Sequence, residues 1–452
     1  MRRLIALLLM ATLASALAMA QEPEPAQEEA ALPGEPTLAV SAEDIALPEG
    51  PLHLKDCVAI ALGFNPKLVA ANAQVREAEA ALTGAKGADD PKVSLSAAHI
   101  LLEEQPSLDV QGFGTFLYGS RVNWNVGLKL QIPIYTSGLT GGYKDQASAM
   151  LDAAVARAAR ERQTVGRDAV TAYFGVLEAR AMVDVAEGQV EALAAQHDAV
   201  SQMHEVGLVP KLDPLRTEVA LAGAEEMLTQ ARNGAEVAKA NLRMVMGLPR
   251  EVPFEISGEY ADPDIPAELE PAIQEALESR PEVAMLAAHR RAAEAAKDIA
   301  DAGDDPQLGF FAQWDFARDS RQPDTGRWSL GLGLEWNIFD GDEASSGEDQ
   351  AAAQIDRIQA EAHALRDGIT LQTTQAFLDL QAARDRVRTM EAAVESADEA
   401  VELAAVGYAN EFTPLTDLLA AEAERTKARN DYVIALNDLR VAMAELLYAM
   451  GR

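Results

Sequence analysis

The chain has 452 residues, enough for two or three ordinary domains, and carries 72 acidic against 38 basic side chains for a net charge of −34. That balance argues against nucleic acid and against an anionic membrane surface as partners, and it fits either a solvated periplasmic surface or a lumen that favours cations. The single cysteine, Cys57, rules out an intrachain disulfide, and its place on a helical apolar stripe reads as packing rather than reactivity.

Arg2 and Arg3 precede an apolar run over residues 4–17 and the triplet Ala18-Met19-Ala20, so residues 1–20 read as a secretory signal peptide. No cysteine follows that triplet, so a lipid anchor is not expected. Residues 21–53 are acidic and Pro-rich and read as an extended arm. No later apolar run reaches the ~20 residues of a spanning helix, so any insertion into a membrane must use strands in a closed barrel.

A first repeat is expected over residues 54–248. Residues 54–86 are helical in pattern, with a stop and restart at Gly63-Phe64-Asn65-Pro66. Residues 92–101 alternate as a strand, with Val93, Leu95, Ala97 and Leu101 on one parity. Residues 103–120 read as a Gly-containing loop. Residues 122–132 alternate strictly: Val122, Trp124, Val126, Leu128, Leu130 and Ile132 fall on one parity, and Asn123, Asn125, Gly127, Lys129 and Gln131 on the other. Pro133 and Thr136-Ser137-Gly138 end that strand. Residues 139–206 then contain no proline. Val165, Ala172, Ala179, Ala186, Leu193 and Val200 interleave with Ala169, Val176, Val183, Val190, His197 and His204 at spacings of four and three, the seam of a coiled coil. His197 and His204 lie about 10 Å apart on it, too far for one metal ion, and read as packing positions. Gly207 is placed as the C′ residue of this helix, and Asp213-Pro214 as the N-cap and N1 of a return helix that stops at Gly247.

Residues 249–270 read as a Pro-rich linker, and residues 271–452 repeat the order. Arg280-Pro281 echoes Asn65-Pro66, strands are expected at 307–317 and 328–338 around a polar loop at 318–326, and a proline-free helix covers 342–406. The turn at 407–415 carries Gly407 and Pro414 at the places of Gly207 and Pro214. Each half is thus helix, strand, strand, long helix, turn and return helix, two tandem structural repeats.

Four strands of roughly ten residues have the length of membrane strands, but single-chain membrane barrels need about eight. The strands must therefore pair between chains, and three copies close a barrel. Trp124, Trp314, Trp328 and Trp336 all fall in these strands on the apolar parity. With Leu128, Leu130 and Leu332 they are expected to face membrane lipid, where Trp is enriched at the interfaces. The competing place for them is the core of a sandwich. The polar parity would line a lumen.

The pieces LKDCVAIALGFNPKLVAANAQVREAEAAL, LQIPIYTSGLTGG and VGLVPKLDPLRTEVALA, each echoed in the second half, resemble the outer-membrane efflux proteins, the TolC-like channels of Gram-negative bacteria. The resemblance covers about residues 54–451. It implies a mixed α and transmembrane β fold: a homotrimer with a twelve-stranded β-barrel, four strands per chain, continued by a long α-helical coiled-coil barrel. It implies an outer-membrane channel of a tripartite efflux or type I secretion system, a passive conduit for small molecules or proteins. Such channels work with a periplasmic adaptor (membrane fusion) protein and an inner-membrane pump, and need no cofactor, metal or catalytic group. Adaptor docking then falls on Gly207, Leu208, Val209, Asp213, Gly407 and Pro414, and a candidate entrance constriction on Thr413, Thr416 and Asp417. Asp213 matches an Asp that family members often carry six residues after the Gly; Thr413 stands there in the second turn. The sequence has no CxxC, HExxH, P-loop or nucleophile elbow. The alternative reading is a periplasmic coiled-coil adaptor or scaffold without a membrane barrel, which would carry one hairpin rather than two.

Overall fold

The computed structural model describes residues 48, 50–117, 120–260, 263–319 and 325–452. The expected signal peptide at 1–20 and the arm up to residue 47 lie outside them. The helical half-breaks come first. α1 (Leu54–Phe64) and α2 (Pro66–Lys86) are separated by Asn65, whose side chain accepts from the Lys67 amide at 2.9 Å while Pro66 fills N1. That is the local chemistry of a helix restart: a capping side chain, then a residue with no N–H to satisfy.

Four strands form one antiparallel sheet in the order β1-β4-β5-β6: β1 (Lys92–Leu101), β4 (Val122–Tyr135), β5 (Gln307–Asp319) and β6 (Thr325–Glu335). The loop expected at 103–120 instead holds a small hairpin, β2 (Ser107–Val110) with β3 (Gly114–Leu117). Its strands are too short for alternation to stand out, and Gly112 and Gly114 at positive φ make its turn. β4 runs three residues past its expected end through Pro133, and its pairing with β5 shifts register between Pro133 and Tyr135, where proline supplies no ladder donor. β5 and β6 extend into the expected polar loop, of which residues 320–324 are outside the described set. β6 also stops at Glu335 rather than 338, which moves Trp336 out of the sheet.

Two long helices leave the strands, α3 (Leu139–Glu205) and α7 (Glu343–Ala409), each 67 residues, roughly 100 Å at 1.5 Å per residue. Each returns as a 35-residue helix, α4 (Leu212–Met246) and α8 (Leu415–Ala449). Along the seam of α3, Val165, Ala169, Ala172, Val176, Ala186, Leu193 and Val200 are buried. Two shorter helices, α5 (Leu269–Ser279) and α6 (Pro281–Asp301), complete the second half.

The return helices are too short to accompany α3 and α7 over their full length, and α2 and α6 complete them. Gly247, at φ +70, closes α4 directly against the Phe64 carbonyl, and the Asn65 amide group donates to the Val245 carbonyl at 2.7 Å. At the end of α8, Gly451 lies against Ser279 and Arg280 in the same manner. Each spliced rod therefore runs through a glycine onto the next helix. Adjacency gives the order α4/α2, α3, α8/α6, α7. The core sits at the splices: Ala61, Leu68, Val165 and Ala169 in one cluster, and Ala272, Phe377, Leu380, Leu446 and Met450 in the other. The linker packs here too, with Val252, Phe254 and Ile256 buried, Ile256 bridged to Leu52, and the Tyr173 hydroxyl on the Ser257 carbonyl.

Arg280 is 4% exposed and donates to Glu282 and to Gln372, while Arg160 of α3 reaches Glu282 at 2.7 Å. Burial disfavours the Glu282 carboxylate, but the Arg280 hydrogen bonds and the Arg160 charge outweigh it and hold its pKa below 4.5.

Gly247→Ala is expected to destabilise the purified protein by roughly 2 kcal/mol or more, since it adds a left-handed penalty to overlap with the Phe64 carbonyl. Gly188→Ala, with open space around it, should be neutral or stabilising; equal melting temperatures for the two variants would contradict the splice. The depressed Glu282 pKa contributes stability that is present above pH 4.5 and lost as pH falls through the lower folded-state value. Acid titration of Glu282→Gln should show a shallower loss in that window than the parent chain.

Candidate functional site

The sheet register decides where each side chain points. Leu128 of β4 is opposite Leu95 of β1 and Trp314 of β5, and Trp314 is opposite Trp328 of β6. Leu130 is likewise opposite Val93 and Ala312, and Ala312 is opposite Leu330. Since side chains alternate along every strand, these pairings place all four apolar parities on one face. The other face carries Lys129, Gln131, Gln313, Asp315, Arg327 and Ser329. Among the described residues no element covers the apolar face: Trp328 is 74% and Leu332 65% exposed. An uncovered apolar face of this extent is not stable against water. β1 and β6 each have one unpaired edge among the described residues.

Trp124, Leu128, Leu130, Trp314, Trp328 and Leu332 lie on that face, as their parity implies. Trp336 does not: it follows β6, and its indole N–H donates to the Asp304 carbonyl at 2.9 Å. Its parity continues the strand pattern, but the segment at 336–342 turns away into the Gly341 and Asp342 positive-φ pair that starts α7.

The far ends of the long helices form the second region. At the first turn, Gly207 adopts φ +82, its N–H bonds the His204 carbonyl, and the Leu208 N–H bonds the Met203 carbonyl, a Schellman closure. The ring of His204 adds a hydrogen bond to the Val209 carbonyl at 3.0 Å. α4 then begins at Leu212 with Lys211 as N-cap, so Asp213 and Pro214 are inside the first turn rather than at N-cap and N1. Proline is tolerated there because none of the first helical amides has an intrahelical partner.

The second turn uses the same closure four residues later. α7 continues through Gly407 to Ala409, and Glu411 takes the left-handed position at φ +62. The Phe412 N–H bonds the Gly407 carbonyl and the Glu411 N–H bonds the Tyr408 carbonyl. Gly207 is thus required by conformation. Gly407 is required by space, because a Cβ there would overlap the Thr413 side chain. Pro414 is the N-cap of α8.

The two turns meet. Val200, Leu415 and Leu418 form a buried cluster bordered by Val209, Ala404, Tyr408 and Leu419. The Tyr408 hydroxyl is buried with no hydrogen-bond partner among the described residues, and burial together with the Asp213 charge raises its pKa. Leu208 is 67% exposed beside Val206. Thr416 and Asp417 are exposed and hydrogen-bonded to each other. Phe412, outside the sequence-derived set, is 88% exposed. An aromatic between Glu411 and Thr413-Pro414 in a helix turn is the signal that marks it.

Residues 58–248 and 272–452 match the outer membrane efflux protein family. The outer membrane efflux protein BepC of Brucella suis is 24% identical over 395 residues, covering 86% of this chain and 83% of that protein. Protein CyaE of Bordetella pertussis is 25% identical over 411 residues, covering 88% of this chain and 84% of its own. The crystal structure of the outer membrane protein VceC from Vibrio cholerae superposes with a TM-score of 0.72 at 17% identity, over 88% of this chain and 96% of that one.

Glu411→Gly is expected to stabilise the second turn by about 1 kcal/mol by removing a left-handed non-glycine residue. Hydrogen exchange at the Phe412 and Thr413 amides should slow in that variant and quicken in Gly407→Ala. Unchanged exchange in both would show that the turn is not held by this closure.

Proposed function

This chain belongs to the outer membrane efflux protein family, and we propose that it acts as the passive outer-membrane conduit of a tripartite export system, assembled from three copies. The family places the protein in the outer membrane with its helical part in the periplasm. The observation that carries the proposal is the sheet: four antiparallel strands with one exposed apolar face and two open edges. Unpaired backbone groups in lipid cost several kcal/mol each, so the sheet must close. Three copies bring twelve strands, an even number with room for a lumen, and two copies would leave almost none.

In this reading the polar face lines the bore and the apolar face meets lipid. Trp328 and Trp336 lie eight positions apart along β6 and the segment after it, at most roughly 20 Å of height at a strand tilt of about 40°, within a barrel's apolar band of about 25 Å. Trp336, with its N–H bonded outside the sheet, belongs at the periplasmic interface. The matching element order of the two halves supports a tandem repeat, each half contributing one hairpin and one pair of rods. The four rods per copy continue the wall into the periplasm. The two turns, with Leu208, Val209, Asp213, Gly407 and Pro414, form the entrance and dock a periplasmic adaptor; Thr413, Thr416 and Asp417 border the constriction. The inner-membrane pump supplies the energy and selects the cargo, small molecule or protein, and the gene neighbourhood identifies which.

The protein is expected to fractionate with outer membranes and to run as a trimer in mild detergent; recovery as a soluble monomer would instead favour the periplasmic scaffold. Leu130→Arg and Leu332→Arg should block assembly, at roughly 2–4 kcal/mol per copy for a charge at mid-bilayer, while Lys129→Gln assembles normally. Equal tolerance of all three would remove the lipid-facing assignment. Leu208→Asp should reduce export at unchanged trimer level, and normal export would argue against that turn as the docking point.

A further inference from the structure

Phe311 is the one aromatic on the polar face within the paired strands, among the described residues. Its partners across the sheet are Gln131 on β4 and Gly331 on β6. The next pair toward the periplasmic end on the same parity is Gly309 with Gly333. Two of these glycines, Gly331 and Gly333, lie against the phenyl ring.

The ring lies down on them. A Cβ added at Gly331 would sit 3.1 Å from Cζ and 3.3 Å from Cε1 of Phe311, and one at Gly333 would sit 3.9 Å from Cδ1 and Cε1. Phe311 is accordingly half-buried on a face that no described element covers. A 440 Å³ hollow opens at this end of the sheet, with Lys92, Gln131, Gln307, Phe311, Gly333 and Glu335 in its lining. Glycine inside a strand weakens it and marks a close approach of another group. Here the approaching group is an aromatic ring that would otherwise stand off the wall, as side chains in a sheet do.

We propose that Gly331 and Gly333 form a socket that holds the Phe311 ring flat against the bore, so that Phe311 sets the size limit of the barrel at its periplasmic end. This rests on the barrel reading above. Three copies would bring three rings to one level of the bore. With the socket intact the rings widen the passage by lying down; with a side chain at position 331 all three rise into it together. Pore radius at such a ring of side chains controls which solutes pass.

The test uses the full-length protein in whole cells with Glu335→Cys as a reporter one layer beyond the glycines. Cys57 is silent, since it is fully buried and its thiol is pushed up to about 12, by burial first and then by the Asp56 charge. A bulky polymer-linked maleimide added outside must pass the Phe311 level to reach position 335; N-ethylmaleimide is the small control. Adding Gly331→Val is expected to slow the bulky reagent about tenfold and leave the small one nearly unchanged, and Phe311→Ala on top should restore the bulky rate. If Gly331→Val does not accumulate as trimer, Gly331→Ala with Gly333→Ala carries the same expectation. An unchanged bulky rate, or no rescue by Phe311→Ala, overturns the socket while leaving the barrel intact. A trimeric Glu335→Cys protein that reacts with neither reagent overturns the luminal parity itself, and the socket with it.

Discussion

The β4–β5 register is the contact on which the rest of this molecule depends. It joins the strands of the two halves so that Leu128 meets Trp314 and Leu130 meets Ala312. A shift of one residue would turn the β5 and β6 side chains over and break the apolar face in two. With the register as it is, one face of four strands is apolar apart from His99 and Arg318 beside Trp124, and among the described residues it is uncovered and both edges are open. In a lone chain the face is unstable in water and the open edges are unstable in lipid. In the proposed assembly, the pressure toward closure comes from the fold itself rather than from a separate interface.

The helices answer a different constraint. A wall roughly 100 Å long needs rods of matching length, and only α3 and α7 have it. The others are built from two pieces each. Gly247 and Gly451 make this possible: both take positive φ, Phe64 approaches Gly247 closer than a Cβ would permit, and Ser279 and Arg280 leave little room at Gly451. The capping differs between the two splices. Asn65 caps its own helix and the end of α4 with one amide group, whereas Arg280 reaches Glu282 and Gln372 and ties the splice to α3 through Arg160. The second splice buries its charged group, whereas at the first the ion pair to α3, Lys67 with Asp168 at 3.5 Å, is more exposed.

The turns at the far end show how one closure can be placed in two registers. Gly207 and Gly407 occupy equivalent positions in the sequence yet serve different purposes, and Glu411 carries the left-handed conformation that Gly207 carries in the first turn. The second turn is therefore the more strained of the two. It also presents Phe412 and buries the Tyr408 hydroxyl beside Asp213. The two turns share one apolar cluster, so a change in either is felt by both.

Much of this was legible in the sequence. Alternation, strict in β4 and looser in β1, placed β1, β4, β5 and three of the four tryptophans; absence of proline with a seven-residue seam placed α3 and α7; Asn65-Pro66 and Arg280-Pro281 placed the helix restarts. These are local signals, because backbone period and the missing proline N–H act within a few residues. What escaped was set by contacts across the chain. Trp336 keeps strand parity but leaves the sheet for the Asp304 carbonyl. The hairpin at 107–117 is too short for its period to be visible. Asp213 lies within the helix because proline is tolerated throughout a first turn. The glycine socket under Phe311 depends on which residue of β6 pairs with which residue of β5. Local chemistry alone determined the elements and their order. Only the tertiary structure decided their register and their neighbours, because hydrogen-bond pairing and close approach join residues that the sequence holds far apart.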